Sequence, residues 1–600
     1  MIRQSAAALC FVLLALLPGT RTESQTQADA LAGVWSCTID YVPPLRGELA
    51  VRRDGPMWKA QLAKQVATGR ADGMSVRFAF DGGQGEFRGT LSGNLRELQG
   101  FWIQAQGVTR DPRDPGGSGQ AYASPLVLQA ASPHVWRGTV RPLHDRFTLY
   151  LHIARNASGV LLASFENPEM NSIGGASSFT VSVAGNDVQL TARKTNLAEP
   201  DIRLSATLRS SPDRLEMVWP DLARKIVLTR GTSDEIADFY PRPPGSAPYA
   251  YRKPPDTGDG WSTAAAADVG MDEGALAHLV QRLSDPDPRV RHYALIHSLL
   301  IARHGKLVLE EYFFGFDRDT VHDLRSAGKT YASVMVGAAM MRGVPISPET
   351  HIYTLLNDLG PFANPDPRKA QITLGELMAH TSGLACDDND DHSPGNEGTM
   401  QSQTRQPNWW KYTLDLPMAY DPGTHYAYCS AGMNLVGAAI TRATGTWLPE
   451  WFDRTVARPV QFGTYYWNLM PNGEGYLGGG AFVRPRDLLK LGQAYLDNGV
   501  WNGRRIVDPS WVAASTAPHP PVGEAASSVD GYAWHLGMLQ VGHRGYREYS
   551  ANGNGGQMLV VIPELDMTIA FTAGNYEEYG IWGKFLTQIV PQEIIPTIER

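Results

Sequence analysis

The sequence predicts two structural classes in series: an all-β N-terminal module, then an α/β (α+β) domain with one antiparallel sheet flanked by helices. Three observations predict it. Short apolar runs of period two, broken by Gly, Asp, Asn and Pro, extend from about Leu31 to Thr229. A Pro-, Gly- and Tyr-rich stretch follows, and beyond it helix-like and strand-like patterns mix. Strand pairs stand near both ends of this last region, as expected if both ends of one domain contribute to one sheet.

At 600 residues the chain is too long for a single hydrophobic core. Its 61 Gly and 41 Pro suit a turn-rich fold with much β structure. The formal net charge is -8 and there is no basic stripe, which argues against a nucleic-acid partner. Met1-Ile2-Arg3 precedes an apolar run, Ala6 to Leu17, which ends at Pro18-Gly19 before polar Thr20 to Gln27. That order is the order of a secretory signal peptide, and the run is too short to span a bilayer. Residues 1–28 are therefore expected to be a signal peptide, and the mature protein secreted or periplasmic with no transmembrane segment. Export leaves Cys37, Cys386 and Cys429, so at most one internal disulfide.

Residues 29–235 form the expected β-rich accessory module. Val76 to Phe80 and Phe179 to Val183 illustrate its alternation. Gly33-Val34-Trp35 and His134-Val135-Trp136 open two stretches with similar endings, so two similar units, 31–130 and 131–230, are expected. The module holds no constellation of catalytic residue types. It is expected to bind substrate or cell-wall material, or to be purely structural. Residues 236–262, with Tyr240 to Gly245 and Lys253 to Asp256, are expected to be an extended linker.

Residues 263–600 carry the mixed pattern. Ala264 to Leu283 is expected to be helical. Ile296 to Ala302 and Leu307 to Tyr312 are expected to pair as a hairpin, as are Met558 to Ile562 and Met567 to Ala573. Tyr579 to Ile589 is expected to be an amphipathic helix.

The chemistry centres on Leu324-Arg325-Ser326-Ala327-Gly328-Lys329-Thr330, which runs into an apolar helix-like stretch ending before Gly343. Residues three apart on a helix share a face, so Lys329 would bring its amine beside Ser326 Oγ. A serine hydroxyl needs a base to become a nucleophile, and a desolvated lysine can serve. A serine at a helix N-terminus also has backbone N–H groups aimed at a developing oxyanion. Downstream come His380-Thr381-Ser382-Gly383-Leu384 and Pro422-Gly423-Thr424-His425-Tyr426-Ala427-Tyr428-Cys429-Ser430.

In this order, S-x-x-K, H-T-S-G-L and P-G-T…Y-x-S, residues 262–600 resemble the serine β-lactamase-like (class C β-lactamase and penicillin-binding-protein-related) hydrolases. The resemblance is nearest to the esterase and 6-aminohexanoate-dimer hydrolase branches. It implies Ser326 as acyl-accepting nucleophile, Lys329 as its proton partner and Tyr428 as phenolate or proton relay. Ser430 stands where many members have an Asn that helps hold substrate, so the resemblance implies a substrate-binding place for its shorter hydroxyl. The family's third box, Lys-Thr-Gly or His-x-Gly, is matched best by Ser550 to Gln557, which has no cation at that position. Its backbone near Asn552, Gly553 and Asn554 would complete the oxyanion hole. Cys386 and Cys429 flank these motifs and are the candidate disulfide pair, with two buried thiols as the alternative.

His380 is expected in a structural turn rather than as a general base. No G-x-S-x-G or H-E-x-x-H occurs, and no metal or cofactor is expected. The acidic loop Cys386 to Glu397 is expected to be a solvated loop near the site. The expected reaction is cleavage of a carboxylic ester or amide of a small molecule or short peptide through a serine acyl-enzyme. Two alternatives stand beside it. One is a DD-peptidase or β-lactamase acting on peptidoglycan or β-lactams. The other, from a different class, is a penicillin- or ligand-binding protein without turnover.

Overall fold

The computed structural model describes residues 30–40, 45–104, 121–143, 146–167, 179–192, 202–210, 213–219, 224–232, 235–286, 293–519 and 529–598. The expected signal peptide, residues 1–28, lies outside the described residues. The chain divides into two compact units: residues 1–35, 151–165 and 176–230, and residues 36–150, 166–175 and 231–600.

Most described residues of the first unit belong to a closed eight-stranded barrel. Its strands run Gly33–Asp40, Arg146–Arg155, Leu161–Glu166, Phe179–Ala184, Asp187–Ala192, Ile202–Ser210, Asp213–Trp219 and Arg224–Arg230. Period-two alternation makes its interior: Leu215, Met217, Ile226 and Leu228 are buried, while Val218 and Lys225 between them are exposed.

The second unit opens with another ring of eight strands, from Gly47–Asp54 to Val135–Val140. The last strand pairs with both Gly47–Asp54 and Ala121–Ser132, which closes the ring and leaves no free edge. Large rings fill it: Trp58 stacks on Trp136 with centroids 5.3 Å apart, and Phe78 on Phe87 at 5.2 Å. Two closed β units are therefore present, but they do not part at residue 130. Val135–Val140 closes the earlier ring, and Gly33–Asp40 joins the later one. Alternation shows that strands exist and which face is apolar; partner choice is long-range.

The rest of the second unit is the expected α+β domain. Six strands form the body of its sheet: β1 (Ile296–Arg303), β2 (Lys306–Tyr312), β3 (His535–Val541), β4 (Arg544–Gly553), β5 (Gln557–Ile562) and β6 (Met567–Ala573). They lie in the order β2-β1-β6-β5-β4-β3, all antiparallel, so both ends of the domain meet at the β1–β6 pair. The residues sort by parity. Leu300, Ala302, Leu559, Val561 and Ala570 enter one core, with helices α2 (Thr330–Met341), α3 (Ser430–Thr444) and α4 (Pro485–Leu496). Leu299, Ile301, Val560, Ile562, Ile569 and Phe571 enter the other, with α1 (Glu273–Ser284) and the C-terminal helical segment. A sheet covered on both faces explains why β5 and β6 are buried at every position.

Two elements depart from expectation. The helix expected over 264–283 begins only at Glu273, because Gly270 takes a left-handed φ of 69° and Asp272 then caps α1 by accepting from Ala275 N. The C-terminal helix is α-helical only over Tyr579–Lys584 and continues as a wider π-type turn through Ile594, with Pro591 inside.

The stretch expected to be a linker lacks regular structure over most of its length, yet the domain holds it firmly. Tyr251 OH donates to Val308 O (2.8 Å) and accepts from Ala266 N. Asp259 pairs with buried Arg486 at 2.8 Å, and Arg486 also pairs with Glu310 at 2.6 Å. Pro and Gly predict an extended backbone; they do not predict whether side chains anchor it.

The ring that opens the second unit is continuous with a small sheet of the domain. Ala121–Ala123 pairs with Trp467–Leu469, which pairs with Ala481–Phe482, which pairs with His322–Asp323. Leu324 N then donates to Ala481 O (3.0 Å). This ladder ends two residues before Ser326.

Candidate active site

Ser326 sits in a tight helical turn, Arg325–Lys329, that leads directly into α2. Arg325 carries a left-handed φ of 48°, a conformation that costs a non-glycine residue about 1–2 kcal/mol. Its surroundings impose it: Arg325 N donates to Asp323 Oδ1 (3.0 Å), and its guanidinium pairs with Asp323 at 2.8 Å. Glycines let two neighbouring backbones close on the turn. A Cβ on Gly553 would lie 2.2 Å from Leu324 O, and one on Gly479 2.9 Å from Arg325 O. The turn is clamped between β4 and the Gly478-Gly479-Gly480 segment.

Lys329 is buried and donates from Nζ to Ser326 Oγ at 3.0 Å. Its ammonium lies 5.0 Å from the centre of the Tyr428 ring. Burial works to lower the lysine pKa, but Tyr428, Glu397 and Asp388 together outweigh it and hold the lysine above its ordinary value. The three residues singled out by the motifs are thus brought into one cluster.

Backbone hydrogen bonds on both sides of Tyr428 fix its position. Ala427 N donates to His380 O (2.9 Å), Cys429 N to His380 Nδ1 (3.1 Å) and Asp388 N to Tyr428 O (2.8 Å). The disulfide between Cys386 and Cys429, with Cα atoms 5.4 Å apart, ties the same segment to the acidic loop. His380 is therefore a splint for Tyr428. Burial, with Lys329 nearby, pushes its pKa down to about 3, so Nδ1 stays free to accept.

The remaining predicted site residues fall on different sides of the cluster. Asn552 lines the cleft beside Ala551; its Nδ2 donates to Ser550 Oγ (3.3 Å), and its Oδ1 is buried with no partner among the described residues. Gly553 packs against the turn as described. The Asn554 side chain turns elsewhere, donating to Glu577 Oε1 (2.7 Å). Ser430 is fully buried at the start of α3. Its N donates to Asp388 Oδ2 (2.7 Å) and its hydroxyl lies 3.4 Å from Glu397 Oε2, so it meets the acidic loop rather than the cleft. That loop is partly structural: Glu397 N also donates to Asp388 Oδ1 (2.8 Å). Among the described residues no group of three His, Cys, Asp or Glu is arranged to hold a metal.

The cleft is lined by Ser326, Lys329, Tyr428, His380, Asp530 and His535, with Trp534 and Asn552 among the other walls. Its free volume of ≈ 20 Å³ admits little more than one water. His535 and Asp530 were not singled out by the sequence. Their neighbours in sequence carry no motif; Asp530 pairs with His535, and the pairing of β3 with β4 brings His535 to the serine.

The Beta-lactamase family model matches residues 294–578, the stretch that contains this whole cluster. Residues 294–578 are a β-lactamase-family domain. A curated relative, the 6-aminohexanoate-dimer hydrolase of Paenarthrobacter ureafaciens, is 25% identical over 264 residues, which cover 40% of this chain and 62% of that protein. The chain thus spans less than two thirds of this relative's length. Among solved structures, a hydrolase with promiscuous acyltransferase activity, EstCE1, is similar with a TM-score of 0.42 at 16% identity, covering 55% of this chain and 99% of that one. A D-stereospecific amidohydrolase from Streptomyces gives a TM-score of 0.38 at 15% identity, covering 49% and 94%. The matched residues therefore hold the Ser326 turn and both walls of the cleft. The two closed β units lie outside the matched residues.

Proposed function

We propose that the protein is a serine hydrolase that cleaves a carboxylic ester or amide of a small molecule or short peptide through a Ser326 acyl-enzyme. One observation carries this reading: Lys329 Nζ and Ser326 Oγ are 3.0 Å apart in a clamped turn, with Tyr428 across the same cleft. Charged Lys329 orients the serine hydroxyl. Tyr428, starting as phenolate, takes its proton as Oγ attacks the carbonyl carbon, then passes that proton to the departing alcohol or amine. The backbone N–H of Ser326 and that of β4 near Asn552 to Asn554 stabilise the oxyanion. Water repeats the sequence on the ester, releasing the acid and restoring Oγ–H.

The unpartnered Asn552 Oδ1 favours a substrate that offers an N–H at this point, as an amide does. The curated relative's activity, on a 6-aminohexanoate dimer, agrees with an amide. We also infer export through residues 1–28; a disulfide between Cys386 and Cys429 suits an oxidising compartment.

The test compares mature protein with its Ser326→Ala variant on p-nitrophenyl acetate, p-nitrophenyl butyrate and nitrocefin. Turnover of at least one ester by the wild type, lost in the variant, is expected. Equal turnover in both would remove Ser326 from the chemistry. Nitrocefin turned over faster than either ester would move the protein to the β-lactamase reading.

A further inference from the structure

The box on β4 that carries a cation in the resembled family has none here, yet the cleft is not without one. His535 stands on β3 directly opposite Ser550 of β4, and it lines the cleft together with Ser326. Its Nδ1 lies 2.9 Å from Asp530 Oδ1, and Tyr426 OH donates to the other oxygen of the same carboxylate at 2.9 Å. Asp530 is buried and thereby held in one orientation. The His535 side chain is 35% exposed and meets Asp530 through Nδ1, so the imidazole edge with Nε2 is available to a ligand.

We propose that His535, oriented and kept charged by Asp530, is the cationic anchor of the cleft and selects substrates whose acyl part bears a carboxylate. This rests on the hydrolase reading and adds the substrate class to it. A donor on an imidazolium facing a carboxylate makes a charge-assisted hydrogen bond, stronger than a neutral one. Two histidines share the cleft and divide its work. His380 accepts at Nδ1 from Cys429 N and is held neutral; His535 gives its Nδ1 to a carboxylate and favours the charged form.

The groups that face His535 agree with this assignment. Asp530 and, from β4, Glu548 favour the imidazolium, while burial and Lys329 oppose it, and the balance is upward from the ordinary histidine value. Burial raises Glu548 to about 7, so its carboxyl is largely uncharged in mildly acidic solution and gains charge above that. Both changes run the same way for an anionic substrate. At low pH His535 is charged and Glu548 is not; at high pH His535 loses its charge and Glu548 has gained one. Lys329 is the other cation of the cleft, but Tyr428, Glu397 and Asp388 already balance it and keep it charged over this range.

The experiment compares p-nitrophenyl butyrate with mono-p-nitrophenyl succinate, whose acyl part carries a carboxylate, from about pH 5.5 to about pH 9. The quantity read is the ratio of kcat/KM, anionic over neutral. In the wild type it is expected to fall roughly tenfold as pH rises through the His535 titration. His535→Gln is expected to show a low ratio without that pH dependence, and Asp530→Asn to move the fall to lower pH. A wild-type ratio independent of pH would overturn the inference, and that arm needs no variant to fold. So would a His535→Gln protein that keeps the wild-type ratio, or one that loses both esters equally, which would place His535 in proton transfer instead. Failure of the hydrolase reading looks different: the wild type turns over neither ester, and the anchor falls with it.

Discussion

The two walls of the cleft are built on opposite plans. The wall of the Arg325–Lys329 turn is local: Ser326 and Lys329 stand three residues apart and enter an apolar, wholly packed helix. The wall of β3 and β4 is assembled from a distance and is rich in titratable groups, with Asp530, His535, Glu548 and Asn552 gathered by strand pairing. The local wall offers one serine hydroxyl and one charge; the assembled wall offers hydrogen-bonding groups whose charge changes with pH.

The largest effects are expected at the local wall. Ser326→Ala is expected to lower ester turnover by about 10⁴-fold or more, measured as kcat after removal of contaminating esterase. Tyr428→Phe removes the proposed proton acceptor and is expected to cost on the order of 10²- to 10⁴-fold in kcat, with a smaller change in KM. If Tyr428→Phe were nearly silent while Lys329→Met were not, the proton would pass to the lysine, and the order of roles in the local wall would reverse.

The joint between the walls comes next. Gly553→Ala would bring a methyl group to 2.2 Å from Leu324 O, so β4 or the turn must move. A loss of roughly 1–3 kcal/mol of stability is expected, together with a fall in kcat, read by denaturant melts and steady-state kinetics. Reducing the Cys386–Cys429 bridge, which spans 43 residues, is expected to cost about 3–4 kcal/mol. Activity should then fall in parallel, because the bridge holds the Tyr428 segment.

The smallest effect concerns His380. Its folded pKa of about 3 lies below the ordinary histidine value, so the unfolded chain binds the extra proton first as pH falls. Its contribution to stability is complete above about 6.5 and is lost as pH falls toward about 3. Buried His322, also lowered to about 3, acts in the same direction. His380→Asn is expected to flatten, without abolishing, the acid limb of the melting temperature against pH. An unchanged limb would mean that His380 does not titrate with folding.

How much of this could be read from sequence follows the same division. The α+β class, the hairpins 296–312 and 558–573 and the serine–lysine spacing are local patterns, and each appears in the fold. Cys386 and Cys429 could be offered as a pair but not decided between bond and buried thiols; the structure joins them. Ser430 was placed by the resemblance on the cleft, but a buried hydroxyl follows the nearest charged partner, here Glu397. His535 had no motif around it, because a residue two strands' worth of pairing away leaves no trace in spacing. The two β units show the same limit: their strands are visible in the alternation, while the exchange of Gly33–Asp40 into the later barrel is not.

The central claim, that Ser326 carries the acyl group, is tested most directly by intact mass. Wild-type protein quenched during turnover of p-nitrophenyl butyrate is expected to gain the mass of one butyryl group, mapped to the peptide containing Ser326, while Ser326→Ala gains none. Butyryl mass on another residue, or ester turnover without any covalent species under rapid quench, would contradict the account.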